Sequence, residues 1–493
     1  MLFTFENLHR QYLACRRNKR NTLNALRFEA RQEQNLLDLR DALQSRSYRP
    51  GRSVCFFVEK PKLREIFAAD FRDRVVHHVL VNYLERIWEP IFIHDSYACR
   101  QGKGIHAGVQ RLRQFIRQVT ANGSRRAWYL QLDVRNFFMS IDKDILYGLL
   151  KAKIVDCDAL WLTKVLVYHD CTADYIIKGD AKLRHLLPAH KTLFGAAKNK
   201  GLPIGNLNSQ FFANVYLNEL DQFVKHQLKC RYYLRYCDDF VLLSTEPEQL
   251  MAWREQIRQF LAQRLRLNLN DQRERLRPVT DGIDFLGYIV RRDYALVRRR
   301  VVHNLHQRLR AFESMLVIVE QSGYSVYRFD EVLMDRCRAV LASYLGHFMQ
   351  ADSFGLRQSL WAEFGFLAQY FAIDDSYQKL TPLYLVPSRF ACVRQQYDWF
   401  RRQFANDVVL FQVGCFYEFY HSQDQQLAQR LGLKRLADNR RRALYGVPVD
   451  QGLGLGRRLV QDKSSVLWVC EQSNGIRDDH LKLRVPHARW VRN

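Results

Sequence analysis

Three aspartates stand where this chain could concentrate negative charge for chemistry. Asp133 ends the apolar run Tyr129-Leu130-Gln131-Leu132, and Val134 follows it; Asp238-Asp239 sit between the apolar stretches 232–236 and 240–244. Carboxylates gathered in apolar surroundings repel one another, which raises their pKa values unless cations neutralise them. Divalent cations are the natural remedy. Two Mg²⁺ ions roughly 3.5–4 Å apart, with Mn²⁺ as a possible substitute, can activate a hydroxyl and stabilise a leaving pyrophosphate in an in-line displacement, and oxygen ligands suit such hard ions. Taken alone, Asp238-Asp239 reads about equally well as a polar hairpin turn, since aspartate is common in turns. The surrounding elements decide between the two.

Residues 128–134 read as a buried strand running into a turn and helix over 136–150. Leu202-Pro203-Ile204-Gly205 opens a helix over 208–223, and the stretches flanking Cys237-Asp238-Asp239 form two strands, which puts the acid pair on a hairpin tip. Upstream, strands over 54–58 and 64–68 flank the short basic turn Lys60-Pro61-Lys62. Residues 73–92 carry Val76, Leu80, Tyr83, Leu84, Ile87 and Trp88 at helical spacing, as a buried helix would. The first fifty residues alternate basic clusters with leucines, as in short helices. Arg291, Arg292, Arg298, Arg299, Arg300, Arg308 and Arg310 face a single acid, Asp293, over 291–310, and helical patterns continue to about Tyr370. A loop near Thr381-Pro382 and Pro387-Ser388 marks a boundary before a last α/β stretch that begins near Val408. The expected organisation is a basic helical extension (1–50), an α/β (α+β) catalytic region (51–290), a basic helical region with linker (291–390) and a small α/β domain (391–493).

The chain's 493 residues, at roughly 150 per domain, suggest about three packing units. Hydrophobic residues make up 47% and charged residues 26%, which excludes wholesale disorder. The formal net charge of +25 is spread along the chain and exceeds what solubility needs, so a polyanion such as nucleic acid is the expected partner. The eleven cysteines include no Cys-x-x-Cys pair and read as reduced core residues. Adjacent His77 and His78 diverge by about 100° on a helix and read as structural. With no long apolar run and no signal-like start at Met1 to Arg10, a soluble, cytoplasmic protein without a membrane partner is expected.

The order of these elements resembles the reverse transcriptase family over roughly residues 20 to 300. Arg64-Glu65-Ile66 with Asp73-Arg74-Val75-Val76, and Ser96-Tyr97-Ala98-Cys99-Arg100-Gln101-Gly102-Lys103-Gly104, look like its first two motifs. Asp133-Val134-Arg135-Asn136-Phe137-Phe138 is similar to its first palm motif, Tyr236-Cys237-Asp238-Asp239 to its Tyr-x-Asp-Asp box, and Phe285-Leu286-Gly287-Tyr288 to its primer-grip element. The resemblance implies a right-hand polymerase fold with fingers, palm and helical thumb, and an RNA-directed DNA polymerase. Asp133 and Asp238 would bind both metals with the Val134 carbonyl, and Asp239 would stand at the edge. Arg64 and either Lys60 or Lys62 would hold the incoming dNTP as charge-assisted partners. Phe138 reads by type alone as a core aromatic; the resemblance puts it under the sugar, excluding a 2′-hydroxyl.

Most of that family carries Gln-Gly-x-x-x-Ser-Pro beside the nascent pair, whereas this chain has Ile204-Gly205-Asn206-Leu207-Asn208-Ser209-Gln210. Ile-Gly-x-x-x-Ser-Gln resembles the reverse transcriptases of diversity-generating retroelements, bacterial or phage-encoded enzymes that copy a template-repeat RNA into cDNA with errors at adenines. That resemblance implies Ile204, Gly205 and Gln210 beside the nucleotide, an RNA–DNA hybrid product, and a small basic accessory protein as partner. An apolar branched side chain in place of an amide removes hydrogen bonding near the template base and would loosen base selection. A reverse transcriptase of a group II intron, retron or phage-defence system is the alternative, and a catalytically silent RNA-binding protein is a third.

Val413-Gly414-Cys415-Phe416-Tyr417-Glu418, Tyr445-Gly446-Val447-Pro448 and Cys470-Glu471-Gln472 are similar to landmarks of the N-terminal mismatch-recognition domain of MutS. The similarity implies that Phe416 stacks on a mispaired base and Glu418 hydrogen-bonds to it, although Cys415 stands where that family usually has aspartate. From residue 401 onward 16 basic residues face 9 acidic ones, which suits nucleic acid. A scaffold that keeps these residues for packing is an equal reading.

Overall fold

The computed structural model describes residues 2–17, 22–59, 62–420, 424–433, 435, 443–472 and 482–492. They form two compact units, Met1–Leu286 with Val290–Asp293, and Gly287–Ile289 with Tyr294–Asn493.

In the first unit the strands that position the site are, in chain order, β1 (Ser53–Val58), β2 (Arg64–Ala68), β3 (Trp128–Asp133), β4 (Tyr175–Ile177), β5 (Tyr232–Tyr236), β6 (Asp239–Ser244) and β7 (Arg275–Pro278). β1 and β2 make the expected hairpin, pairing from Val54 with Ala68 to Val58 with Arg64, and β4 lies parallel beside β1. The other four form an antiparallel sheet in the order β5-β6-β3-β7. Its inner face is apolar because Leu130, Leu132, Tyr233, Phe240 and Leu242 alternate inward. They pack in one core with Phe212, Tyr216 and Leu220 of the helix Leu207–Gln222 and with Leu250, Ile257 and Leu261 of the helix Pro247–Leu265. Each fully buried Leu or Phe adds roughly 1.5–3 kcal/mol of burial, so the sheet that carries the aspartates is anchored on a substantial apolar core.

The helix read over 73–92 runs Phe71–Trp88, with Asp70 capping it by accepting from the Arg72 N–H. Its Asp73 is buried and accepts from the Tyr48 hydroxyl and the Gly51 N–H, both at 2.8 Å. The stretch expected to be one helix over 136–150 is two, Phe137–Ser140 and Lys143–Lys151, because Asp142 caps a fresh start on the N–H groups of Asp144 and Ile145.

In the second unit, helices Arg299–Leu316, Glu331–Phe348 and Phe354–Glu363 share a core built on Leu305, Leu309, Phe312, Met334, Cys337, Leu341 and Phe348. The helical pattern read through to Tyr370 is interrupted by a hairpin, β8 (Val317–Glu320) and β9 (Tyr324–Arg328). Val317-Ile318-Val319 is a β-branched run, Tyr324 to Tyr327 alternates, and Gly323 supplies a left-handed turn at φ 84°. Local chemistry there overrides the helical trend. The chain then adds β10 (Asp407–Val413), β11 (Phe416–Phe419), β12 (Tyr445–Pro448), β13 (Ser465–Glu471) and β14 (Arg484–Arg492). All seven join in one sheet, ordered β8-β9-β14-β13-β10-β11-β12, with β10 and β13 parallel. Helix Gly452–Gln461 lies on it through Leu455 and Leu459, and a Cβ on Gly456 would come within 2.5 Å of the Trp468 ring, so glycine permits that approach. The loop expected near Thr381-Pro382 holds a short strand, Leu380–Pro382, paired with Phe371–Ile373.

All eleven cysteines are free thiols. Among the described residues no helix is long and apolar enough to cross a membrane.

Candidate active site

β3 and β6 bring Asp133 and Asp239 directly opposite one another, and the tight connection from β5 to β6 places Cys237-Asp238 at its tip. Cys237 takes a left-handed φ of 56°, which lets two residues reverse the chain. The Val134 N–H donates to the Asp238 carbonyl at 3.2 Å, so the end of β3 is tied to the acid turn. Asp133, Val134, Asp238 and Asp239 therefore lie together.

Their side chains differ in surroundings. Asp133 is buried, accepts from Asn270 Nδ2 at 2.9 Å, and lies 3.3 Å from the guanidinium of Arg273. Burial raises the Asp238 carboxyl above the ordinary aspartate range, and the neighbouring Asp133 charge pushes it the same way. Asp239 turns to Gln131, whose Nε2 donates to it at 3.0 Å. Among the described residues no group of three or more His, Cys, Asp or Glu gathers in metal-holding geometry. The Asp133 and Asp238 carboxylates do fit a divalent cation of the Mg²⁺ kind, which takes only one or two carboxylates and completes its shell with substrate phosphates and water.

The nucleotide-binding candidates fall on elements tied to one another by hydrogen bonds. The Ile204 carbonyl accepts from the Phe67 N–H at 2.9 Å and Asn206 Oδ1 from the Ala69 N–H at 3.0 Å, pinning 204–206 to the end of β2. Arg64 opens that strand and is exposed; Lys60 lies outside the described residues. Gly205 has φ +120°, and a Cβ there would stand 2.7 Å from Ile66 Cγ2 and 3.0 Å from the Phe67 carbonyl oxygen. Gln210 is exposed in the first turn of the helix Leu207–Gln222, whereas Ser209 of the same motif is buried beside a small cavity shared with Asp73, His77 and Pro203. The Phe138 carbonyl accepts from the Leu202 N–H at 2.8 Å, and its half-buried ring sits edge-on to Phe137 at 5.4 Å.

In the second unit Phe416 and Glu418 share one face of β11. Phe416 is half-exposed at the mouth of the Val413–Phe416 hairpin, and Glu418 is buried and accepts from the Tyr420 hydroxyl. Glu471 accepts from the Gly414 N–H at 2.9 Å and from Arg484 at 2.7 Å, which fixes the hairpin that presents Phe416. Burial would raise the Glu471 carboxyl, but the Gly414 N–H, Arg484 and Lys482 together hold it below the usual range.

Sequence reasoning missed Asn270, Arg273, Arg235 and Asp221. Arg235 left a signal, a cation inside an apolar strand one residue before the Tyr-x-Asp-Asp box. Asn270 and Arg273 left none, because their approach to Asp133 depends on the loop that follows the helix Pro247–Leu265.

Comparison with known proteins bears on this geometry. Residues 58–290 match the family model of the reverse transcriptase (RNA-dependent DNA polymerase), and residues 391–485 match MutS domain I. The chain carries a reverse transcriptase domain. That domain makes the chain a nucleotidyltransferase enzyme, and a MutS domain I follows it. Protein YkfC of Escherichia coli K12 is 28% identical over 321 residues, covering 58% of this chain and 79% of that protein. The group II intron-encoded protein LtrA of Lactococcus lactis subsp. cremoris is 22% identical over 325 residues, 52% of this chain, and the match spans only 50% of LtrA. Nuclear intron maturase 1, mitochondrial, of Arabidopsis thaliana is 30% identical over 108 residues, 21% of this chain and 14% of that protein. The reverse transcriptase domain is thus related to those of group II intron proteins.

Proposed function

We propose that the chain is the RNA-directed DNA polymerase of a retroelement, extending a primer with dNTPs along an RNA template. The observation that carries this reading is Asp133, at the end of a central strand of a buried antiparallel sheet, held beside Asp238 in the turn between β5 and β6, within the matched domain. In this reading the four-stranded sheet is the palm, the β1–β2 hairpin belongs to the fingers, and Arg299–Leu316 starts the thumb. Asp133 and Asp238, with the Val134 carbonyl, would hold divalent metal, and Asp239 supports the turn from its edge. Bound Mg²⁺ supplies charge for the attacking and leaving oxygens. Arg64, with Lys60 or Lys62, meets the triphosphate, and Phe138 bars a ribose hydroxyl. The test is primer extension on RNA in Mg²⁺, with no product expected from Asp133→Asn.

Two finer readings each rest on a specific observation. Relatedness to LtrA and to an intron maturase favours an intron-type element, in which the chain would bind the RNA that encodes it. The run Ile204-Gly205-Asn206-Leu207-Asn208-Ser209-Gln210 favours the diversity-generating type, with adenine-directed errors, a template-repeat RNA and a small basic accessory protein. Sequencing cDNA from the native chain and from Ile204→Gln with Gln210→Pro separates them. The diversity-generating reading expects an excess of errors opposite adenine that the double variant lowers more than errors opposite other bases. Equal error spectra leave the intron-type reading.

A further inference from the structure

Directly beneath the acid turn lies a buried ion pair that the reaction as described does not use. Arg235 of β5 and Asp221 of the helix Leu207–Gln222 are both fully buried and meet at 2.6 Å. A guanidinium has five N–H donors, and here each has a partner. Nε and Nη2 reach the two Asp221 oxygens at 2.8 and 2.6 Å, and Nη2 also reaches Ser96 Oγ at 3.0 Å. Nη1 reaches Asn214 Oδ1 at 3.2 Å and the Cys237 carbonyl at 2.9 Å. Asp221 accepts in addition from the Tyr233 hydroxyl at 2.7 Å. The Arg235 backbone joins the same network, donating to the Asp95 carbonyl at 2.9 Å and accepting from the Tyr97 N–H at 3.0 Å.

Burying such a pair is a poor way to gain stability, because desolvation offsets most of the Coulombic attraction and apolar residues of similar volume often do as well. What the pair supplies is direction. Four of the five bonds anchor the guanidinium to Asp221, Ser96 and Asn214, and the fifth grips the carbonyl of Cys237, the left-handed residue immediately before Asp238. A left-handed non-glycine residue is held above its relaxed state, so the turn would otherwise drift. Fixing that carbonyl fixes the 237–238 peptide plane and with it the direction in which the Asp238 carboxylate leaves the chain.

We propose that Arg235, clamped by Asp221, is a positioning residue that orients Asp238 toward Asp133 and so sets divalent-metal affinity at the catalytic centre. This rests on the polymerase reading above, and the experiment keeps the two apart. Two variants of the full chain are compared with the native protein. Arg235→Lys keeps a positive charge beside Asp221 without the fork that also reaches Cys237; Arg235→Met with Asp221→Met removes the pair without leaving a charge unpaired. Mn²⁺ binding to the protein alone is followed by electron paramagnetic resonance, alongside thermal melting and the Mg²⁺ dependence of primer extension.

Outer partners of metal ligands are typically worth about 10- to 100-fold in metal affinity or activity. Both variants are expected to bind Mn²⁺ at least about 10-fold more weakly, to need correspondingly more Mg²⁺ for extension, and to bind primer–template RNA as the native chain does. Native-like Mn²⁺ binding in a folded variant overturns the proposal. If the double variant does not fold, Arg235→Lys decides; if that variant also loses its cooperative melt, the pair is a folding element and the proposal is wrong. A native chain that binds Mn²⁺ yet extends no primer removes the polymerase reading instead.

Discussion

Replacing Gly205 with alanine probes the joint between β2 and the segment at Ile204. The backbone there sits at φ +120°, and the new Cβ would stand 2.7 Å from Ile66 Cγ2 and 3.0 Å from the Phe67 carbonyl oxygen. Two costs add. An L side chain at positive φ costs about 1–2 kcal/mol. A methyl forced well inside the roughly 3.5–4.0 Å optimum adds an overpacking cost of about 1–3 kcal/mol. Gly102 provides the control, because it has φ +70° with open space around a Cβ, so Gly102→Ala carries only the backbone cost. Gly205→Ala should therefore be less stable than Gly102→Ala by about 1–3 kcal/mol, read from urea unfolding followed by circular dichroism. The joint also carries the end of the strand that Arg64 opens, so KM for dNTP should rise more than the Kd for primer–template. If the two alanine variants unfold within about 0.5 kcal/mol of each other, neighbours at 205 give way freely and the joint is not rigid.

Asp238→Asn should abolish cDNA synthesis while RNA binding, set by basic phosphate contacts, persists. Burial first and Asp133 second raise the Asp238 carboxyl in the fold, so its protonated form favours folding below its unfolded pKa of about 3.9 and that contribution is lost as pH rises through the raised folded value. At neutral pH without divalent cations the asparagine variant should accordingly melt above the native chain, by an amount that shrinks toward low pH; a lower melting point contradicts the buried-charge account. Phe138→Ala should admit ribonucleotides more readily, and unchanged discrimination against them removes Phe138 as the gate. Phe416→Ala in the full chain should weaken binding to mismatched duplex roughly 5- to 150-fold, the equivalent of about 1–3 kcal/mol of base stacking, with matched duplex hardly affected. Titration at fixed salt that shows no mismatch preference in the native chain would make the hairpin at Gly414 a scaffold.

Three strands of the four-stranded sheet, β3, β5 and β6, were legible in the sequence because their signals are local, whereas β7 (Arg275–Pro278) was not read. Period-two burial, an acid ending β3 and an acid pair between two apolar stretches fix strand, turn and face without knowledge of anything distant. The β1–β2 hairpin was legible for the same reason. The partners of the aspartates were not. Asn270 and Arg273 stand 137 and 140 residues from Asp133, and nothing in their own neighbourhood announces the meeting. Asp221 reads as an ordinary polar position near a helix end until β5 is laid against that helix, when it becomes fully buried opposite Arg235. Long-range polar pairing leaves no periodicity, which is why a lone cation in an apolar strand is worth pursuing as a question about its partner.

The hairpin at 317–328 went unread for a different reason, and it changes how the C-terminal sheet must be studied. Its strands are short and lie inside a run of helices, so a helical window averages them away. Their meaning appears only in the pairing of β9 with β14, from Tyr324 with Arg492 to Arg328 with Ala488, where Tyr324 stacks on Trp490 at 5.3 Å. The sheet of the MutS domain I match is thus completed by residues that precede the match by more than sixty positions. Cutting the chain before residue 391 would strip β8 and β9 away and leave the β14 edge unpaired, which invites association of such fragments through that edge. Because β9 runs on toward the helix Glu331–Phe348, whose Met334, Cys337 and Leu341 belong to the basic region's own core, the sheet and those helices share one continuous backbone support. Because β11, β10, β13, β14 and β9 are successive hydrogen-bonded neighbours in one sheet, any test of mismatch binding at the Phe416 hairpin should use the intact chain, in which that sheet is whole.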